Sequence, residues 1–180
     1  YLEWRGDLTF DQSPFNDVDN VILSQLAYVN FRDVIPSVQM NKGITLKAAA
    51  QLFFDLHTEE ELMQDKSFIK DAPKLLKKAA QTNRFRDVIL SDYVDMVDET
   101  LEKQFGAFHI KLSPQCTYVA FRGTDDTLVG WKEDFNMSFI SPVPSQEDAV
   151  KYLDDTCSYI RGKLYVGGHS KGGNLAIYSA

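Results

Sequence analysis

Ser170 is the residue best placed for covalent chemistry, because of what surrounds it. It lies in Val166-Gly-Gly-His-Ser-Lys-Gly-Gly-Asn-Leu175, which contains Gly-x-Ser-x-Gly as Gly168-His169-Ser170-Lys171-Gly172. An apolar run (Leu164, Tyr165, Val166) leads in, and a helix-like run from Asn174 to Tyr178 leads out. Strand, sharp turn, helix is the order that a nucleophile elbow requires, because it lifts one serine above a sheet. The glycines have a steric purpose: a strained serine draws strand and helix so close that side chains two residues away would collide. The bland alternative is a glycine-rich loop holding an ordinary serine, and the strand–turn–helix context favours the elbow.

A serine nucleophile needs hydrogen-bond donors where the oxyanion develops. One comes from the residue after the nucleophile, here Lys171, and one from the loop after an earlier strand. Residues 117–124 supply that strand and loop: Thr-Tyr-Val-Ala-Phe reads as buried, and Arg122-Gly123-Thr124 follows it. Thr124 is the second candidate donor. Trp131 and Asp134 lie just downstream in a helix-like segment, Gly130 to Phe135.

Phe121-Arg-Gly-Thr124, Trp131 with Asp134, and Gly168-His-Ser-Lys-Gly-Gly173 together resemble the class 3 lipase branch of the α/β-hydrolases. The wording Gly-His-Ser-Lys-Gly-Gly-Asn behind a helical N-terminal region is most similar to a bacterial group within that branch. The resemblance covers about residues 104–180. It implies a mixed, mostly parallel sheet with helices on both faces, and Ser170 as the acylated nucleophile. It also implies an oxyanion-hole N–H from Thr124 and a brace for that loop from Asp134. Gly123, Arg122, Trp131, Gly168, His169 and Gly172 are the supporting positions. Lys171 departs from the usual leucine-like residue. Its backbone N–H still serves, while its side chain argues against a greasy acyl pocket. The ammonium either reads a polar or anionic substrate or, as the simpler reading, faces solvent.

The triad order Ser, Asp/Glu, His requires a carboxylate and a histidine after the nucleophile. Residues Lys171 to Ala180 contain neither. The three histidines, His57, His109 and His169, all precede Ser170. His169 sits inside the elbow with its side chain expected to point away from the serine proton. His109 shares a strand face with Lys111, which predicts an exposed position. His57 ends a helical run, where capping is the better reading. No histidine here is a convincing base, so the triad Asp and His are expected outside this chain. The chain therefore reads as part of a larger hydrolase, interrupted inside the elbow helix, with a C-terminal companion segment completing the sheet around a central strand 163–168. By itself it is expected to be nearly inactive.

Composition narrows the partners. The chain has 180 residues, 44% hydrophobic and 25% charged, which suits one globular domain. A net charge of −7 argues against nucleic acid, whose affinity comes from clustered Lys and Arg. Lys74, Lys77 and Lys78 alternate with Leu75, Leu76, Ala79 and Ala80, as on the solvated face of an amphipathic helix. No 18-residue apolar run or signal-like start is present, so no membrane span is expected. Cys116 and Cys157 lack metal-ligand spacing. Cys157 falls on an apolar stripe with Val150, Leu153 and Ile160, as a buried thiol would. A reducing cytoplasm fits best. The predicted chemistry requires no metal and no organic cofactor.

The elements that must position Ser170 follow from periodicity. Residues 1–14 read as an arm or short strand. Helices are predicted over 17–31, 45–57, 58–65 and 71–82, with Glu59, Glu60 and Glu61 in the first turn of the third. The period then shifts to two, giving strands over 86–98, 104–112 and 117–122, the last two joined across Ser113-Pro114. Ser145 with Asp148 predicts a helix start in capping-box style, ending at Gly162. The expected domain is thus mainly helical over 1–85, forming either a cap over the site or packing helices, with a sheet core over 86–180. Its expected function is a serine esterase or lipase-like hydrolase acting on a small acyl substrate. The alternative is a non-catalytic α/β-hydrolase-like binding protein that keeps the elbow as architecture. A third reading treats the helical half as a protein-interaction module.

Overall fold

The computed structural model describes residues 1–38, 42–64 and 69–180. Eight helices and five strands are assigned among the described residues: α1 (Leu2–Arg5), α2 (Asp17–Leu26), β1 (Ile44–Thr45), α3 (Leu46–Leu56), α4 (Glu59–Gln64), α5 (Ala72–Ala79), β2 (Ile89–Asp98), β3 (Lys103–Ser113), β4 (Cys116–Phe121), α6 (Leu128–Asn136), α7 (Pro144–Cys157), β5 (Lys163–Gly168) and α8 (Lys171–Ser179). The fold is mixed α/β; from α3 onward the helix and strand order follows the periodicity, whereas α1 and β1 were not expected and α2 ends at Leu26, short of Phe31. The final residue expected in the third helix, Asp65, lies outside the described residues.

Local chemistry explains the helix starts. Asn16 caps α2, accepting from Val18 N at 2.9 Å, while Asp19 accepts from Asn16 N at 3.0 Å. Thr45 caps α3 through Ala48 N at 3.2 Å. Thr58 and Glu61 form a reciprocal pair at α4. The start of α7 differs from expectation. It begins after Val143, whose N–H is taken by Gln146 Oε1 at 3.0 Å, and Ser145 lies inside it. It ends at Cys157, not Gly162. Gly162 instead serves the entry to β5, at φ +97°, where a Cβ would meet Gln115 O at 2.3 Å.

The strands form one sheet in the order β1-β2-β3-β4-β5. Among the five described strands β4 and β5 alone pair in parallel; β1–β2, β2–β3 and β3–β4 are antiparallel. The expectation of a mostly parallel sheet is therefore corrected. The reason is connection length: tight links join β2 to β3 and β3 to β4, whereas a parallel crossover needs a dozen or more residues. The β4–β5 connection, which holds α6 and α7, is long enough for a parallel crossover; the β1–β2 connection, which holds α3, α4 and α5, is long as well but returns antiparallel. β5, expected to be central, pairs with β4 alone among the described residues.

Alternation along β3 and β4 divides two cores. Phe108, Ile110, Tyr118 and Ala120 face Leu23, Leu26, Phe31, Phe53 and Leu76 of the N-terminal layer. Phe105, Ala107, Val119 and Phe121 face Ala149 and Tyr152 of α7 and Leu175 and Ala176 of α8. Each fully buried Leu or Phe contributes about 1.5–3 kcal/mol. The N-terminal helices thus pack on the sheet that carries Ser170. No described helix is long and apolar enough to cross a membrane.

Residues 1–14 form no strand; they hold the short helix α1 and wrap Arg84. Its guanidinium donates to Leu8 O at 3.1 Å, Ser13 O at 3.0 Å and Pro14 O at 3.2 Å, and it lies 4.2 Å from the Phe10 ring centre. Its charge is met by Asp19, which accepts from Nε at 2.7 Å, and both side chains are almost fully buried. Removing one member of such a pair strands the other charge in the interior. Asp19→Ala is expected to lower unfolding stability by about 3–5 kcal/mol in urea titrations. A loss below about 1 kcal/mol would contradict this role for the pair.

Candidate functional site

Ser170 stands where β5 gives way to α8, at φ 56° and ψ −124°. A left-handed φ at a non-glycine residue is sparsely populated and persists only where its surroundings enforce it. The two flanking glycines supply that enforcement. A Cβ on Gly168 would lie 2.4 Å from Gly172 C, and one on Gly172 would lie 2.3 Å from Phe121 O. Strand, turn and helix therefore touch backbone to backbone, and the serine is left exposed at the crest. Gly173 N and Asn174 N donate to Ser170 O at 2.9 and 3.2 Å, starting α8 at that residue.

The loop after β4 abuts this turn. A Cβ on Gly123 would meet His169 O at 2.5 Å and the Tyr28 hydroxyl at 2.0 Å. Thr124 Oγ1 donates to Asp134 Oδ2 at 2.5 Å, so Asp134 on α6 holds the loop at its free end. Arg122 holds the other end: its N–H donates to Gly106 O at 2.8 Å, and its guanidinium pairs with Asp95. Trp131 is half-exposed on α6. The backbone N–H groups of Thr124 and Lys171 have no partner among the described residues. Lys171 directly follows Ser170, and Thr124 follows Gly123, which abuts His169.

Lys171 overturns the expectation of a solvent-facing side chain. Its ammonium is buried beneath the loop and donates to Gln104 O at 2.7 Å, Gln104 Oε1 at 2.9 Å and Glu133 Oε2 at 2.9 Å. All three donors are used, which is what makes a buried ammonium tolerable. Burial pushes its pKa down, against the upward pull of Glu133. Glu133 also accepts from Gln104 N at 3.0 Å and Ser145 N at 2.9 Å. Gln104 completes the network, donating to Gly123 O at 3.3 Å and accepting from Asp125 N at 3.3 Å. One buried ion pair thus joins α8, α6, β3, the start of α7 and the loop. The charge on Lys171 points inward and reads neither substrate nor solvent.

Each histidine has a partner other than Ser170. His57 caps α3, with Nδ1 2.9 Å from Phe53 O, as expected. His109 is buried, not exposed, because α7 covers its face of the sheet; its Nε2 lies 2.9 Å from Thr156 Oγ1. His169 is exposed, with Nδ1 3.0 Å from the Tyr28 hydroxyl. Burial raises the pKa of that phenol to about 12, so it stays protonated at neutral pH. No histidine is hydrogen-bonded to Ser170 among the described residues. Cys157 is half-buried beside the buried face of α7, which carries Ala149, Tyr152 and Thr156. No group of three or more metal-ligating side chains occurs among the described residues.

Tyr28, Gln104 and Glu133 escaped the sequence reading. Glu133 left a trace, an acidic residue one position before Asp134 in the same helix. Tyr28 and Gln104 left none, since their roles depend on elements distant in sequence.

Residues 79–180 match the model of the family described as Mbeg1-like. No curated protein and no solved structure matches the chain.

The close approach of α8 to β4 has a direct test. Gly172→Ala places a methyl against backbone atoms of Phe121 and Arg122 and is expected to cost about 1–3 kcal/mol or more. Gly173→Ala, whose nearest neighbour would be Gly168 O at 3.2 Å, is expected to cost less. Equal urea midpoints for the two variants would contradict the packing assigned to Gly172.

Proposed function

The chain belongs to the Mbeg1-like family, and from that premise we propose that it is the nucleophile-bearing part of a serine hydrolase, esterase- or lipase-like, of α/β-hydrolase type. The observation that carries this reading is Ser170 at a left-handed φ between two glycines whose Cβ positions are occupied by backbone. Strain of this kind, at an exposed nucleophile with unspent N–H groups beside it, suits acyl transfer.

In the proposed mechanism Ser170 Oγ attacks the carbonyl of an ester or related acyl bond. The N–H groups of Thr124 and Lys171 receive the developing oxyanion, each worth about 3–4 kcal/mol of transition-state stabilisation. The Thr124–Asp134 hydrogen bond and the Lys171–Glu133 pair hold those donors in place before substrate arrives. The base and its orienting carboxylate are proposed to lie outside residues 1–180, since His57, His109 and His169 all have other partners. A small acyl substrate, no organic cofactor and a cytoplasmic setting complete the reading. The same lack of a histidine hydrogen-bonded to Ser170 among the described residues favours the alternative, a binding protein that keeps the elbow as architecture.

A fluorophosphonate probe on the full-length native gene product separates the two. The expected result is a single covalent adduct at Ser170, read by intact mass and lost in Ser170→Ala. Absence of any adduct on the folded, full-length protein would contradict the hydrolase and favour the binding protein.

A further inference from the structure

The other end of the sheet carries a second polar constellation. Cross-strand rows Ile89–Lys111–Thr117 and Ser91–His109 lie on the face covered by α7. They sit toward the start of β4 and β5, opposite the end at which Ser170 emerges. Beyond α7, residues 159–161 and the sheet line an open cleft of about 420 Å³. That volume falls within the range of small-ligand sites.

Three cations line the cleft: Lys42, Lys111 and Arg161. All are exposed, and none is in an ion pair among the described residues. The protein as a whole carries a net charge of −7, so this convergence runs against its overall sign. Asp92 is the carboxylate that lines the cleft, and it is already engaged. Ser91 Oγ and Tyr159 OH donate to its Oδ2 at 2.6 and 3.2 Å, and His109 Nδ1 lies 3.6 Å away. Asp92 also adopts φ 57° at the β2 bulge, with its carbonyl accepting from Tyr152 OH at 2.7 Å. The carboxylate is thereby fixed as part of the wall. Ile89, Ile160 and the Tyr159 ring add apolar surface for a carbon skeleton.

We infer that this cleft binds a small dianion, held by Arg161 and Lys111 with Lys42 completing the charge. A guanidinium fork matches the paired oxygens of a phosphate or carboxylate group, and the lysines act as point charges. Phosphate monoesters and dicarboxylates share this chemistry. The site is separate from the elbow, and it stands or falls independently of the hydrolase reading.

The test is a titration of the ¹⁵N-labelled protein with inorganic phosphate and, separately, with malonate at low salt. The expected result is saturable shifts of amides around Lys111, Thr117 and Arg161 with at least one anion. The tighter anion identifies the ligand class. Affinity is expected to fall at least tenfold in Arg161→Gln and in Lys111→Gln, while Lys78→Gln on α5 leaves it unchanged. Both cleft side chains are exposed, and circular dichroism verifies that the variants fold. Absence of saturable shifts with either anion, or equal affinity in folded wild type and both variants, would overturn the inference.

Discussion

The ion pair between Lys171 and Glu133 is the contact on which the geometry around Ser170 depends. Both side chains are almost fully buried, so neither charge is relieved by water. Such a pair is tolerable only when the remaining donors and acceptors are satisfied, and here Gln104, Ser145 and each other satisfy them. The consequence is positional. Lys171 follows the nucleophile, Glu133 precedes the residue that holds Thr124, and Gln104 holds the carbonyl of Gly123. Turning Ser170 away from the loop would pull an ammonium from its partners in a dry interior. The loop and the elbow are locked by electrostatics below and by glycine contacts above.

The sheet supplies the platform for that lock. Strict alternation in β3 sends Phe108 and Ile110 to one core and Phe105 and Ala107 to the other. Gln104 and Gly106 then fall at the end of β3 nearest the loop, where Arg122 N–H donates to Gly106 O. The absence of a side chain at Gly106 matters: a Cβ there would stand 3.1 Å from the Arg122 guanidinium. The N-terminal layer reaches the same place from the opposite face, through Tyr28 against Gly123 and His169.

Features set by short-range sterics were legible in the sequence. The elbow glycines and the hairpin across Ser113-Pro114 each follow from a few neighbouring residues. Features set by what covers a face were not. His109 and Lys111 share one face of β3, yet α7 buries the first and leaves the second open. Lys171 carries the same charge as any surface lysine, and its burial follows from Glu133, 38 positions away. The mostly parallel sheet was an inference from resemblance, whereas the lengths of the β2–β3 and β3–β4 connections already dictated antiparallel pairing.

A double-mutant cycle on Lys171 and Glu133 tests the central claim most directly, using Lys171→Met, Glu133→Leu and the pair in equilibrium urea unfolding. Each single change is predicted to cost about 3–5 kcal/mol by stranding a buried charge. The double variant is predicted to cost at least about 2 kcal/mol less than the sum of the two. Single losses below about 1 kcal/mol that simply add would contradict the account, leaving Lys171 no more than a solvated surface cation.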